Sequence, residues 1–268
     1  MIHHRVNNHD MPYLAVGQGP LLVLIHGSLD DFRIWSPMLG PLSTHHRVIA
    51  PSLRHCFPSH YDGTGEGFTI NQHVSDVIAF IEALRNGPID LVGHSRGGHI
   101  AFRVAQQRPD LLRRLVLAEP GGTLDDTLAE PGMPQPPSIA SHLPAALALI
   151  SAGDIEGGMR RFFDAIEGPG AWDAQTEARR QPLRDNARTL IGQVNENRRP
   201  YSLADARSIR TPTLFVGGEK TEGSLPMILK ALAANVAGAK VVMIPGAGHA
   251  MHQQNPVAFA EAILDFLC

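Results

Sequence analysis

Short, wholly apolar runs alternate along this chain with stretches whose apolar residues recur at helical spacing, and that alternation most constrains its fold. Leu21–Ile25 reads Leu-Leu-Val-Leu-Ile with no polar interruption, which suits a strand buried on both faces. Residues 5–8, 13–16, 47–50, 89–92, 114–118, 212–216 and 240–244 read as further short strands, with Pro51 expected to stop the fourth. Between them, residues 33–42, 71–84, 95–107, 225–236 and 256–267 read as helices. In residues 71–84, for example, Val74, Val77, Ile78, Ile81 and Leu84 fall on one face, and Gly87-Pro88 follows as a stop. Strands alternating with helices predict an α/β fold, a mostly parallel central sheet with helices on both faces.

The pattern changes after residue 119. Pro and Gly crowd residues 120–137, and the next stretches, 139–152, 155–166 and 173–195, all read as helical. Residues 1–119 and 209–268 are therefore expected to form the α/β core, and 120–208 a helical insertion. No internal repeat or low-complexity tract stands out.

Charge excludes some partners. Lys plus Arg number 23 against 26 for Asp plus Glu, a net charge of −3, and no segment gathers basic residues into a stripe; nucleic acid is not expected as a partner. The first ten residues are polar and carry three histidines, so neither a secretory signal nor a membrane span is read there. Cys56 and Cys268 lie far apart without metal-ligand spacing. Such cysteine usage fits a reduced compartment, and the cytoplasm is the expected location.

Gly93-His94-Ser95-Arg96-Gly97 sits between the strand 89–92 and the helix that follows, the setting a nucleophile elbow requires. The sharp turn needs small flanking residues, because side chains there collide with the neighbouring strand and helix. Ser95 is expected at the carboxyl edge of the sheet, where the positive end of its helix favours a developing oxyanion. A serine hydroxyl needs a base. Of the 14 histidines, His249 stands out, because it follows the strand 240–244 through Pro245-Gly246-Ala247-Gly248 on that same edge. His252 lies three residues on, but no third ligand at sensible spacing accompanies the pair, so no metal is expected.

Taken in order, His26-Gly27, the Gly93–Gly97 elbow, the Gly246-Ala247-Gly248-His249 turn and the helical insertion give the chain, over nearly its whole length, a resemblance to the α/β-hydrolases, in particular their serine esterase and lactonase branch. The resemblance implies that the insertion is a cap. It also implies an oxyanion hole made by the backbone N–H groups of Ser28 and Arg96, with His26 bracing the loop. The family usually supplies an Asp in a Gly-x-x-Asp turn after the seventh strand. Here that stretch is Gly218-Glu219-Lys220-Thr221-Glu222, and Thr221 stands at the acid position.

A carboxylate is still needed to fix the tautomer of the base and to stabilise its imidazolium. Glu119, Glu222 and Glu219 are the candidates. Some members of the family carry the acid as Glu after the sixth strand, and by that resemblance Glu119 is favoured, with Glu222 the alternative. The loop 51–56 retains Arg54 but not the Asp and glycines usual in the family. Arg54, His55 and Arg96 are each read either as braces or as substrate contacts. Phe32, Trp35, Phe162, Phe163 and Trp172 are candidate pocket walls, or plain core.

These readings converge on a serine hydrolase without cofactor or metal, acting on a small-molecule ester or lactone. Ser95 is the expected nucleophile, His249 the base and Glu119 the acid. Competing readings are carbon–carbon bond hydrolysis or a perhydrolase activity on the same scaffold. From a different class comes a slow-turnover ligand-binding or sensor protein. Monomer and homodimer both remain open.

Overall fold

The computed structural model describes residues 1–64, 67–129 and 143–268. Eight strands form one sheet: β1 (Ile2–Val6), β2 (His9–Val16), β3 (Leu21–Ile25), β4 (Arg47–Pro51), β5 (Ile89–His94), β6 (Leu112–Ala118), β7 (Thr213–Gly218) and β8 (Lys240–Ile244). Their spatial order is β1-β2-β4-β3-β5-β6-β7-β8. The pairings of β1 with β2 and of β2 with β4 are antiparallel, and the five from β4 onward are parallel. No described helix is long and apolar enough to cross a membrane.

Several strand boundaries differ from the sequence reading: β2 begins at His9 rather than 13, β6 begins two residues earlier, β5 and β7 end two residues later, and β1 and β4 differ for local reasons. The strand expected over 5–8 ends at Val6, because Asn7 and Asn8 take φ of 44° and 60° and turn the chain into β2. Positive φ at both central residues marks the tight hairpin turn whose twist matches its strands, and Asn tolerates it. β4 ends at Pro51, one residue beyond the expected 47–50, with the proline itself still paired to Tyr13. The next amide, of Ser52, donates to Pro12 on β2, so the Pro51 nitrogen faces the opposite side, where pairing with β3 has already ended at Ile49. No ladder bond is lost there.

Period-two alternation divides the apolar strands between two cores. From β3, Val23 and Ile25 enter a core with Phe80, Leu91, Phe102 and Phe215, whereas Leu22 and Leu24 enter the one on the other face with Trp35, Val116 and Phe259. Both faces are thus covered, as a parallel sheet requires.

Between β6 and β7 the described chain forms an isolated parallel bridge, Leu124 with Tyr201, and from Leu143 on its regular elements are helices. The stretch expected as one helix over 173–195 is three, Ala171–Ala174, Glu177–Asp185 and Thr189–Asn195. Thr176, extended at φ −67° and ψ 155°, starts the second by accepting from the amide of Arg179, a capping device that favours a new helix over continuation. The helix expected over 139–152 is observed as Leu143–Ser151, and residues 139–142 lie outside the described residues. These helices enclose a third apolar cluster of Ile150, Met159, Phe162, Phe163, Trp172 and Leu190, which Leu29 joins from the loop after β3.

Buried polar groups fasten these helices to the sheet domain. Asn186, 1% exposed, accepts from the Phe57 amide at 2.7 Å and donates to Asp31 at 2.7 Å and to the Pro182 carbonyl at 2.9 Å. Asp31 also binds Arg33, which in turn pairs with Asp185. Asn186→Ala leaves the Phe57 amide unpaired and takes one of two donors from Asp31 Oδ2, which keeps its bond to Arg33, and is expected to cost about 1–3 kcal/mol. Denaturant unfolding measures this directly, and an unchanged midpoint would refute the docking role.

Histidine burial sets the response of the fold to acid. Burial holds the imidazoles of His26, His73, His94, His99 and His252 below the ordinary histidine range, His252 down to about 3. Nearby positive groups add to the effect, Arg96 at His73 and Arg179 at His252. Unfolded, such rings titrate near 6.5. Below about pH 6.5 the unfolded chain therefore binds protons that the folded chain refuses. Stability is complete above that pH and falls as pH drops, by up to about 1.4 kcal/mol per pH unit for each ring. Urea midpoints between pH 7.5 and 5 should decline steeply, whereas a flat profile would mean that these rings are solvated.

Candidate active site

The turn from β5 into the helix Arg96–Gln107 places Ser95 at φ 52° and ψ −117°, a region a residue with a side chain occupies only under constraint. Backbone bonds supply that constraint. The Ser95 amide donates to the Ala118 carbonyl at 2.9 Å, and the Ser95 carbonyl accepts from His99 at 3.1 Å and Gly121 at 2.9 Å. A Cβ on Gly97 would lie 2.2 Å from the Ile25 carbonyl oxygen, and one on Gly93 would lie 2.3 Å from that of Gly97. Both glycines are therefore steric requirements of the elbow. Arg96 is the first residue of its helix, and an amide there has no intrahelical acceptor. Ser95 itself is partly exposed, and its hydroxyl makes no hydrogen bond among the described residues.

Glu119 follows β6 with φ 40°, and its amide donates to the Val216 carbonyl on β7 at 3.0 Å. Its carboxylate is buried and uses both oxygens. Oε1 accepts from the Gly218 amide at 2.8 Å, and Oε2 lies 2.7 Å from His249 Nδ1. A carboxylate oxygen in that position accepts from Nδ1–H, which leaves Nε2 of a neutral His249 as the bare nitrogen. The His249 side chain is 37% exposed. Its turn is clamped by side chains, since the Gly246 amide donates to Glu219 at 3.0 Å and the Gly248 amide to Gln254 at 2.6 Å.

Of the three carboxylates read as candidates for the acid, Glu119 alone contacts His249. Glu219 supports the turn, and Glu222 is exposed. The hydroxyl of Thr221 is buried without a partner.

His26 braces its loop: Nδ1–H donates to the Gly27 carbonyl at 2.9 Å, and Nε2 accepts from the Leu53 amide at 3.0 Å. The following loop carries Ser28, partly exposed, and Leu29 at φ 62°.

Residues read as possible substrate contacts are mostly engaged elsewhere. The guanidinium of Arg96 is buried, binds Glu196 through two bonds at 2.5 and 2.8 Å, and lies over the Phe68 ring. Its charge ties the segment before β7 to the elbow helix. Arg54 forms a two-point bond with Asp76 and reaches the Asn7 carbonyl, bracing its loop against the helix Ile70–Ala83. His55 packs against Tyr61 and Phe68. Trp35 and Phe32 belong to a sheet core, and Phe162, Phe163 and Trp172 to the third cluster. Aromatic area of this size is worth most in such packing. Burial pushes the Cys56 thiol up, which makes it a poor nucleophile. Among the described residues no group of three or more His, Cys, Asp or Glu is arranged to hold a metal ion.

The sequence reading missed His94, whose ring contacts the base loop, and Glu196 and Asn186, which fasten the helices above the sheet. Only the position of His94 beside Ser95 marked it; partners 100 or more residues away carried no local signal.

Comparison with known proteins agrees with this architecture. The model of the Alpha/beta hydrolase family matches residues 22–262. The chain is 26% identical to a 2-(acetamidomethylene)succinate hydrolase of Mesorhizobium japonicum, over 94% of this chain and 89% of that protein. It is 27% identical to a soluble epoxide hydrolase of Corynebacterium sp. (strain C12), over 98% and 96%. The crystal structure of the enol-lactonase from Burkholderia xenovorans LB400 superposes with a TM-score of 0.77 at 22% identity, covering 99% of each chain. Sheet order, elbow and family match together make the chain a member of the alpha/beta hydrolase family.

Proposed function

We propose that the protein is a serine hydrolase that cleaves a carboxylic ester or lactone through an acyl-enzyme. The observation that carries this reading is the 2.7 Å bond between His249 Nδ1 and the buried Glu119 carboxylate, on the sheet edge where Ser95 occupies its constrained turn. A hydroxyl nucleophile suits acyl transfer. Epoxide hydrolysis and dehalogenation on similar scaffolds use a carboxylate at the elbow, and here that position is Ser95.

Ser95 Oγ attacks the substrate carbonyl as its proton passes to His249 Nε2, through a hydrogen bond that forms when substrate is bound. Glu119 Oε2 keeps the ring in the Nδ1–H tautomer and stabilises the imidazolium. The tetrahedral oxyanion lies against the amides of Ser28 and Arg96, with the positive end of the helix Arg96–Gln107 behind it. Collapse breaks the bond to the leaving alcohol, or opens the lactone ring, and His249 returns the proton to that oxygen. Water, deprotonated by His249, then releases the acid and restores Ser95. These steps draw only on groups of this chain and water.

Hydrolysis of a short-chain aryl ester tests the assignment. Ser95→Ala is expected to lower kcat by on the order of 10⁶, by analogy with other serine hydrolases. Glu119→Gln is expected to lose about 10⁴ by analogy with the loss on disabling a triad carboxylate, and Glu222→Gln less than twofold. A Ser95→Ala loss below tenfold sinks the nucleophile assignment, and a crippled Glu222→Gln moves the acid to the turn after β7.

A further inference from the structure

We propose that His94 is a positioning residue for this reaction, holding the backbone of the base loop to the nucleophile elbow. The inference rests on the serine-hydrolase reading. It concerns a group outside the Ser95, His249 and Glu119 set.

His94 is the last residue of β5 and immediately precedes Ser95. Its ring is buried, and Nε2 lies 2.9 Å from the backbone carbonyl of His249. A carbonyl can only accept, so the ring is the Nε2–H tautomer and Nδ1 carries no proton. That Nδ1 is buried without a partner and faces Gly27, where a Cβ would come within 3.1 Å of it and 3.2 Å of Ser95 Cβ. One imidazole thus spans three parts of the site: the residue before the nucleophile, the loop that leads to Ser28, and the carbonyl of the base.

The ring is also held from behind. It lies 4.6 Å from the His249 ring and 4.4 Å from that of His252, which packs in turn on Trp35 at 5.3 Å. Burial and the neighbouring His252 and His249 keep His94 neutral, with Arg179 acting in the same sense. The tether therefore persists across the pH range in which a histidine base works.

This second anchor matters because of where His249 sits. Its turn contains Gly246 and Gly248, and its side chain is more than a third exposed. Glu119 fixes the rotation of the ring through Nδ1, and Glu219 and Gln254 hold the amides of Gly246 and Gly248, but none of these bonds reaches the His249 carbonyl. His94 restrains that backbone through the carbonyl. A shift of about 1 Å at a reacting group is enough to cost ~100-fold in rate.

His94→Leu removes the donor while keeping an apolar side chain, and His94→Gln restores an N–H near the position of Nε2. With a short-chain aryl ester, the Leu variant should lose about 10–100-fold in kcat with KM changed less than about threefold. The Gln variant should return to within about threefold of wild type. A Leu variant within twofold of wild type overturns the proposal, as does a Gln variant as slow as the Leu variant. Nitrogen-15 histidine NMR of the wild type, assigned by the peak lost in His94→Gln, gives a readout independent of turnover. An Nε2–H ring that does not titrate between pH 5 and 8 is expected, and a neutral ring protonated at Nδ1 overturns the tether. Failure of the serine-hydrolase reading looks different: Ser95→Ala retains its rate or the wild type cleaves no ester, while the NMR result still decides the tether.

Discussion

The parallel register of β3, β5, β6, β7 and β8 is the constraint on which the rest depends. Ile25 pairs with Gly93, His94 with Ala118, Ala118 with Val216, and Gly218 with Ile244, so all five strands end on one line. Because parallel strands need crossover connections, every chain segment leaving that line is a loop free to carry chemistry. Ser95 and Glu119 leave adjacent strands, roughly 5 Å apart by ordinary strand spacing. His249 arrives from two strands further along, and the Glu119 side chain closes the gap by binding Gly218 with one oxygen and His249 with the other.

Strain on this line is matched by hydrogen bonds. Ser95 and Glu119 both hold positive φ, at a cost of order 1–3 kcal/mol each. Their amides nevertheless donate to neighbouring strands, through the Ala118 and Val216 carbonyls. The ladder thus continues through the strained residues, and the turns cannot relax without breaking sheet bonds. Support from His94 and Gln254 extends the same logic to the loop that carries His249, where glycines would otherwise leave the backbone adjustable.

Charge is spent mostly on joining the helices between β6 and β7 to the sheet domain. Arg96 with Glu196, Arg179 with Asp30, and the set of Asp31, Arg33, Asp185 and Asn186 all cross between the two. Buried or half-buried pairs of this kind are strongly destabilising to break on one side, so Arg96 serves as a fastening and not as a free cation beside Ser95. Arg54 is committed in the same way to Asp76. From sequence, Arg54 and Arg96 could each be read as a brace or as a substrate contact, because the acids that engage them, Asp76 and Glu196, lie 22 and 100 residues away.

Local pattern determined much of this protein. The apolar run Leu21–Ile25, the helical periodicity of residues 71–84 and the small residues around Ser95 each follow from packing rules that act over a few residues, so they are legible in one dimension. The same holds for Gly246 and Gly248, which mark the turn that carries His249. Tertiary structure alone decided which carboxylate meets that histidine, because Glu119, Glu219 and Glu222 differ only in where their strands end and which way the backbone aims them. It also decided that Trp35, Phe162 and Trp172 pack into cores, and that the His94 ring faces the base loop. Contacts between groups more than 100 residues apart depend on sheet order and register, and those are properties of the assembled sheet that no short stretch of sequence contains.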